Sequence, residues 1–159
     1  LIDWSQSDMY QELSKNVYNS MVNNFDTEKV DICCSWFCGT DYDLFDKMGY
    51  DCFYYDMDKV VCETNKALTR NVINADIIFD DIMLRNAVIV NKFCENTYPI
   101  GRAYKGSFIL VGSDNPHLSN INKITSTEML IEQNRLIEVY EERTFFNKHN
   151  FYLVAGCNI

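Results

Sequence analysis

Residues 31–58 read DICCSWFCGTDYDLFDKMGYDCFYYDMD. Two short apolar runs, residues 30–34 and 52–55, enclose an amphipathic middle. Each run is too short for a helix and bounded by charged or turn residues, which predicts two buried strands. Between them, Leu44, Phe45 and Met48 recur at helical spacing over residues 40–48, and Gly49 offers a C-terminal stop. Parallel strands need a crossover of a dozen or more residues, and this helix supplies one.

Further strand and helix signals extend the pattern in both directions. Upstream, Met9, Leu13, Val17 and Met21 recur every four residues, so residues 5–25 predict a helix, with Tyr10 and Val22 widening its stripe and Ser5 with Asp8 at its start. Downstream, Asp56 ends the second strand and Asp58 can cap a helix carrying Val60, Val61, Thr64 and Leu68. Residues 71–74, 87–91 and 107–112 read as a third, fourth and fifth strand, while residues 77–84 are ambiguous. Thr125 with Glu128 forms a capping box for a helix ending near Asn134. Residues 136–145 and 150–157, joined by residues 146–149, lie close enough for an antiparallel hairpin. Strands alternating with helices, several apolar on both faces, indicate an α/β fold: a doubly wound, Rossmann-like, mostly parallel sheet with helices on both faces. Residues 30–34 are expected inside the sheet, beside residues 52–55 and 87–91.

A length of 159 residues suits a single domain, residues 1–159. The net charge of −9, with basic residues scattered, disfavours nucleic acid as a partner. The longest apolar runs are far short of a membrane span and no leader peptide is visible, so no membrane partner and a cytoplasmic location are expected. Seven cysteines occur, an odd number, four of them within strand-like runs; all seven are expected as reduced thiols. Cys34 and Cys38 lack a second ligand pair, and His117 and His149 stand alone, so no metal is expected.

In a doubly wound sheet, ligands bind outside the carboxyl ends of the strands, where strand order reverses. Asp56 ends the second strand, where a carboxylate can accept both hydroxyls of a ribose; capping the next helix is the alternative role. Asp76, after the third strand, can hold an adenine amino group or serve as a solvated turn residue. The first loop, Ser35, Trp36, Phe37, Cys38, Gly39, Thr40, retains a single glycine. A pyrophosphate needs Gly-x-Gly-x-x-Gly so that backbone can approach it, which argues against dinucleotides and nucleoside triphosphates. A cofactor without phosphate, resting on apolar loop residues, fits.

Residues 31–58 resemble the first two motifs of class I S-adenosylmethionine-dependent methyltransferases. More narrowly, they resemble a small methyltransferase-like family encoded by tailed bacteriophages, whose first loop carries a Ser-Trp-Phe-Gly type sequence. The likeness continues through NVINADIIFDDI at 71–82, AVIVNKFCENTYPI at 87–100 and GSFILVGSDN at 106–115, and covers about residues 2–157. It implies a seven-stranded sheet with a C-terminal antiparallel hairpin. It also implies S-adenosylmethionine as cofactor, over Ser35, Phe37 and Gly39, with ribose on Asp56, adenine near Met57, Asp76 and Ile77, and Asn91 on the crevice. Similar members carry Cys-Glu-His after the fourth strand; here Cys94, Glu95 and Asn96 stand there, so the histidine base is gone. The Asp/Asn-Pro-Pro-Tyr motif of amino-group DNA methyltransferases is absent, as is the Pro-Cys nucleophile of cytosine-C5 enzymes. Cys94, preceded by Phe93, reads as a packing residue.

Two functions follow from these residues. One is a methyltransferase acting on a small molecule or protein, with Glu95 and Asn91 as its catalytic residues and Glu95 taking the acceptor proton. The other is a non-catalytic protein of the same fold, a virion or protein-interaction module, favoured by the loss of the early glycines.

Overall fold

The computed structural model describes residues 8–27, 29–33, 49–56, 63, 72–74, 87–114 and 121–159. Among these, helix α1 spans Asp8–Asn24, and strands β1 to β5 span Lys29–Cys33, Asp51–Asp56, Val72–Asn74, Val88–Asn91 and Ser107–Ser113. Helix α2 follows at Thr127–Gln133, then β6 at Glu138–Asn147 and β7 at His149–Cys157. The helices expected over 40–48 and after Asp58, the ambiguous segment 77–84 and the Ser5 cap lie outside the described residues.

The described strands form one sheet in the order β3-β2-β1-β4-β5-β7-β6. The pairs among β1 to β5 are parallel, and β7 runs antiparallel to both β5 and β6. This is a mixed α/β, Rossmann-like sheet. As expected, β1 is interior, pairing with β2 on one side and β4 on the other.

Side chains of successive strand residues point to opposite faces, so each buried strand feeds two cores. Val88 and Val90 of β4, Ile109 and Val111 of β5, and Leu153 and Ala155 of β7 pack with Leu13, Val17 and Met21 of α1. The intervening Ile89, Phe108, Leu110 and Val154 pack on the other face with Leu130 and with Ile124, Ile100 and Leu136. Helices therefore cover both faces, α1 on one and α2 on the other. Each such fully buried apolar side chain contributes about 1.5–3 kcal/mol of transfer free energy.

Three expectations are corrected in detail. The buried stripe of α1 runs through Leu13, Ser14, Val17, Ser20 and Met21, while Val22 is 51% exposed. Val22 lies about 100° around the helix from Met21, past the edge of that face; two small serines complete the stripe instead. Helix α2 starts one residue later than the Thr125 box. Ser126 is its cap, its Oγ accepting from the Met129 N–H at 3.1 Å, and the Thr125 hydroxyl turns to the Met129 sulfur at 3.2 Å. The hairpin turn is tighter than residues 146–149. Asn147 pairs with His149, and Lys148 alone, at φ 62°, reverses the chain. A register shift between Val139 and Glu141 adds a bulge to β6, which forms the sheet edge.

Cys52, Cys94 and Cys157 are free thiols. No helix among the described residues is long and apolar enough to cross a membrane.

Candidate functional site

The chain lays β2 and β3 to one side of β1, then crosses to place β4 and β5 on the other. Strand order thus reverses between β1 and β4, and the crevice outside their carboxyl ends is the place such sheets bind ligands. The register aligns the last residues of the two strands, Cys33 opposite Asn91. Cys33 also pairs with Tyr55, so Asp56 stands one residue beyond that row, opposite Asn74 of β3. Of the cofactor-site residues expected from sequence, Asp56 and Asn91 therefore end neighbouring parts of one sheet edge. Ser35, Phe37, Gly39, Met57, Asp76 and Ile77 lie outside the described residues.

The loop leaving β4 is held by hydrogen bonds on several sides. Asn91 is buried, and its Oδ1 accepts from the Phe93 N–H at 3.0 Å, a local turn typical of Asn. Its Nδ2 donates to the Thr97 hydroxyl at 2.8 Å, tying the start of the loop to its end. The Cys94 thiol points back to the Asn91 carbonyl at 3.6 Å. Cys94–Asn96 then forms a 3₁₀ turn, closed by the Asn96 N–H on the Phe93 carbonyl at 2.9 Å. From across the site, the Asn122 N–H donates to the Glu95 carbonyl at 3.0 Å and its side-chain Nδ2 to the Cys94 carbonyl at 3.3 Å. Asn122 is itself held by reciprocal amide bonds to Gln133 of α2, at 2.7 and 2.8 Å. Asn91 thus builds the loop that carries Glu95.

Glu95 is 1% exposed, and its Oε2 accepts from the Ser113 N–H at the end of β5, at 3.2 Å. Burial disfavours its charged form and pushes its pKa from 4.5 up to about 7, against the pull of its own backbone N–H and that of Ser113. A carboxyl that gains and loses its proton near neutrality is suited to general base work. Lys92 is also buried, with Nζ 5.4 Å from the centroid of the Phe93 ring, within cation–π range.

Sequence reading named Glu95 and Asn91 as candidates but did not single out Ser113, Asn122 and Thr97, whose hydrogen bonds hold them and their loop. Thr97 was legible in principle, since an Asn and a Thr bracketing a short loop often bond to each other's segment. Ser113 and Asn122 lie in later segments, and no local pattern links them to Glu95.

No family model and no curated protein matches the chain. Solved structures do share its fold. The 1,6-didemethyltoxoflavin N1-methyltransferase of Burkholderia thailandensis, with bound 1,6-didemethyltoxoflavin and S-adenosylhomocysteine, superposes at TM-score 0.66 and 12% identity, over 98% of this chain and 81% of that one. The N-methyltransferase NodS of Bradyrhizobium japonicum with S-adenosylhomocysteine gives 0.63 at 9% identity, over 95% and 89%. Magnesium protoporphyrin IX methyltransferase of Synechocystis, with bound S-adenosylmethionine, gives 0.63 at 9% identity, over 92% and 79%. At these identities the likeness is one of fold: the chain has the architecture of class I methyltransferases.

Proposed function

We propose that the chain is an S-adenosylmethionine-dependent methyltransferase of the phage-borne type, acting in the host cytoplasm on a small molecule or protein rather than on nucleic acid. The carrying observation is Glu95, a buried carboxyl with a near-neutral pKa, held on a rigid loop beside the strand-order reversal of a methyltransferase fold.

The residues at the sheet edge fit the cofactor chemically. Asp56 ends β2, where a carboxylate accepts ribose hydroxyls. In the sequence, Ser35, Phe37 and Gly39 follow β1 without the glycine spacing that a phosphate needs, and Met57, Asp76 and Ile77, which follow β2 and β3, are assigned to the adenine. When bound, the cofactor supplies a methyl group already activated on a sulfonium, so positioning provides most of the rate. Asn91 acts as a positioning residue, fixing the loop through Phe93 and Thr97. Glu95 receives the acceptor proton.

Calorimetric titration with S-adenosylhomocysteine tests this reading. Binding is expected, and Asp56→Ala should weaken it by about 1–3 kcal/mol, the range for removing one partner of a buried hydrogen bond. Unchanged affinity in that variant would overturn the ribose placement. The second reading, a non-catalytic virion or interaction module, rests on Trp36 and Phe37 standing in the first loop beside the single Gly39. It takes over if the wild-type chain binds no cofactor at about millimolar concentration, the upper end of the range typical of substrates.

A further inference from the structure

The outer edge of β6 has no described strand beside it. An uncovered edge presents a row of N–H and C=O groups ready to pair with another chain, and proteins usually blunt it with Lys, Pro, a bulge or charges that pairing would strand. β6 contains neither Lys nor Pro. Its bulge, between Val139 and Glu141, leaves residues 141–147 in regular register with β7. The charges of that segment are already held within the chain. Glu141 accepts from the Asn24 amide at 2.7 Å and forms an ion pair with Arg143 at 3.1 Å. Arg143 also donates to the Asn16 carbonyl at 3.3 Å, and Glu142 accepts from the Thr127 hydroxyl at 2.7 Å. Pairing would strand none of them. Thr144 and Phe146, on the same face of the strand as Glu142, are exposed, Phe146 to 68%.

We infer that this edge is a dimer interface: residues 141–147 pair antiparallel with the same residues of a second copy of the chain, Thr144 opposite Thr144. A two-fold axis makes such an interface isologous. Directly opposite residues share a face, whereas neighbours along a strand do not, so the axis must pass through a residue paired with itself. Centring on Thr144 alone pairs the whole regular segment. Centring on Glu142 or Arg143 shortens it and sets like charges face to face. The Thr144 register puts Arg143 opposite Phe145, Glu142 opposite Phe146 and Glu141 opposite Asn147, with no like charges opposed. Glu142 also lies diagonal to the exposed Lys148 of the second copy, a spacing that long side chains span. Opposed threonines and this complementary diagonal, made twice, fit the strand to itself. Pairing uses up β6 on both copies, so assembly through it stops at the dimer. The charge of −9 on each copy opposes association, and the contact is small, so the dimer is a weak one. The inference is independent of the methyltransferase reading.

Sedimentation equilibrium of the full chain tests the interface. A monomer–dimer equilibrium with Kd of about 10–100 µM is expected of a small contact. Raising NaCl from about 50 to about 500 mM should tighten it, because salt screens the repulsion between copies. Thr144→Lys and Thr144→Glu each set like charges on the axis and should weaken the dimer about fivefold. Mixed in equal amounts, the two variants should associate more tightly than either alone. Should either variant misfold, Phe146 decides, since it falls opposite Glu142: Phe146→Glu should weaken the dimer and Phe146→Lys should not. A chain that stays monomeric to about 1 mM at high salt, far above the expected Kd, overturns the inference. So does a dimer indifferent to these variants, a mixture no tighter than its parts, or assembly beyond the dimer.

Discussion

Glu95 sets two opposing pH dependences. The unfolded chain releases the Glu95 proton near 4.5, whereas the folded chain keeps it until about 7. Between these values the folded state holds more protons, so stability falls as pH rises. The contribution is fully present below about pH 4.5 and lost above about pH 7; from the two values it amounts to about 3 kcal/mol. Glu95→Gln keeps an oxygen for the Ser113 N–H and removes the charge. Urea unfolding should show the variant more stable than wild type at pH 8, by up to about 3 kcal/mol, with the two converging near pH 4. On the proposed methyltransferase reading, methyl transfer needs the ionised form and should rise through pH 7 in the wild type alone. Parallel stability curves for both proteins would show that Glu95 does not titrate in this way. Glu95 was legible as a candidate from Cys94, Glu95 and Asn96 following an apolar strand. Its pKa was not, because burial is a product of the whole fold and the Ser113 N–H comes from β5, the neighbouring strand, rather than from its own segment.

At the level of elements, sequence signals located the strands and the two helices among the described residues but erred at their ends. Thr125 and Ser126 both match a cap, and local composition cannot choose between them; the hydrogen bond from Met129 to Ser126 does. Val22 looked like part of the α1 stripe because it is apolar, yet the sheet wanted serines at positions 14 and 20. The turn at Lys148 gave no glycine signal at all. Its φ of 62° is a left-handed conformation that costs a side chain about 1 kcal/mol. Lys148→Gly relieves that cost but adds freedom to the unfolded chain, so a gain of up to about 0.5–1 kcal/mol is expected by chemical denaturation. A loss of stability would mean that Lys148 makes a compensating contact. Gly101 has the opposite prognosis. A Cβ there would strike the backbone carbonyl of Asn134, whose side-chain Oδ1 also accepts from the Gly101 N–H at 2.9 Å. Backbone cannot move aside as a side chain can, so Gly101→Ala should cost at least about 1–3 kcal/mol, the range for overpacking. A neutral effect would show that the junction between the 3₁₀ turn at Ile100–Arg102 and the end of α2 yields easily.

For the molecule as a whole, two-sided burial carried the fold's legibility. Val88, Ile89 and Val90 in β4 and Phe108 to Val111 in β5 are apolar at every position because both faces of the sheet are covered. Such runs can be read without knowing their partners. The crevice is different, since it assembles the ends of several strands with Asn122 and Ser113 from later in the chain, and only the three-dimensional register joins them. A ligand bound in that crevice bridges segments on both sides of the β1–β4 boundary, so it stabilises the folded chain as a unit. At a free concentration of one hundred times Kd, a ligand that binds only the folded state adds about 2.7 kcal/mol. For a chain of 159 residues, each kcal/mol moves Tm by about 2–4 °C. S-adenosylhomocysteine at that ratio should therefore raise Tm by about 5–11 °C in a thermal-shift titration. The shift should grow with the logarithm of ligand concentration rather than saturate, because mass action on the folded state has no ceiling. Glu95→Gln should shift equally, since Glu95 is assigned to the acceptor and not to the cofactor, whereas Asp56→Ala should need a higher concentration for the same shift. A flat melting curve in the wild type, at concentrations that saturate a known methyltransferase run beside it, would leave the fold without its cofactor and make the chain a scaffold.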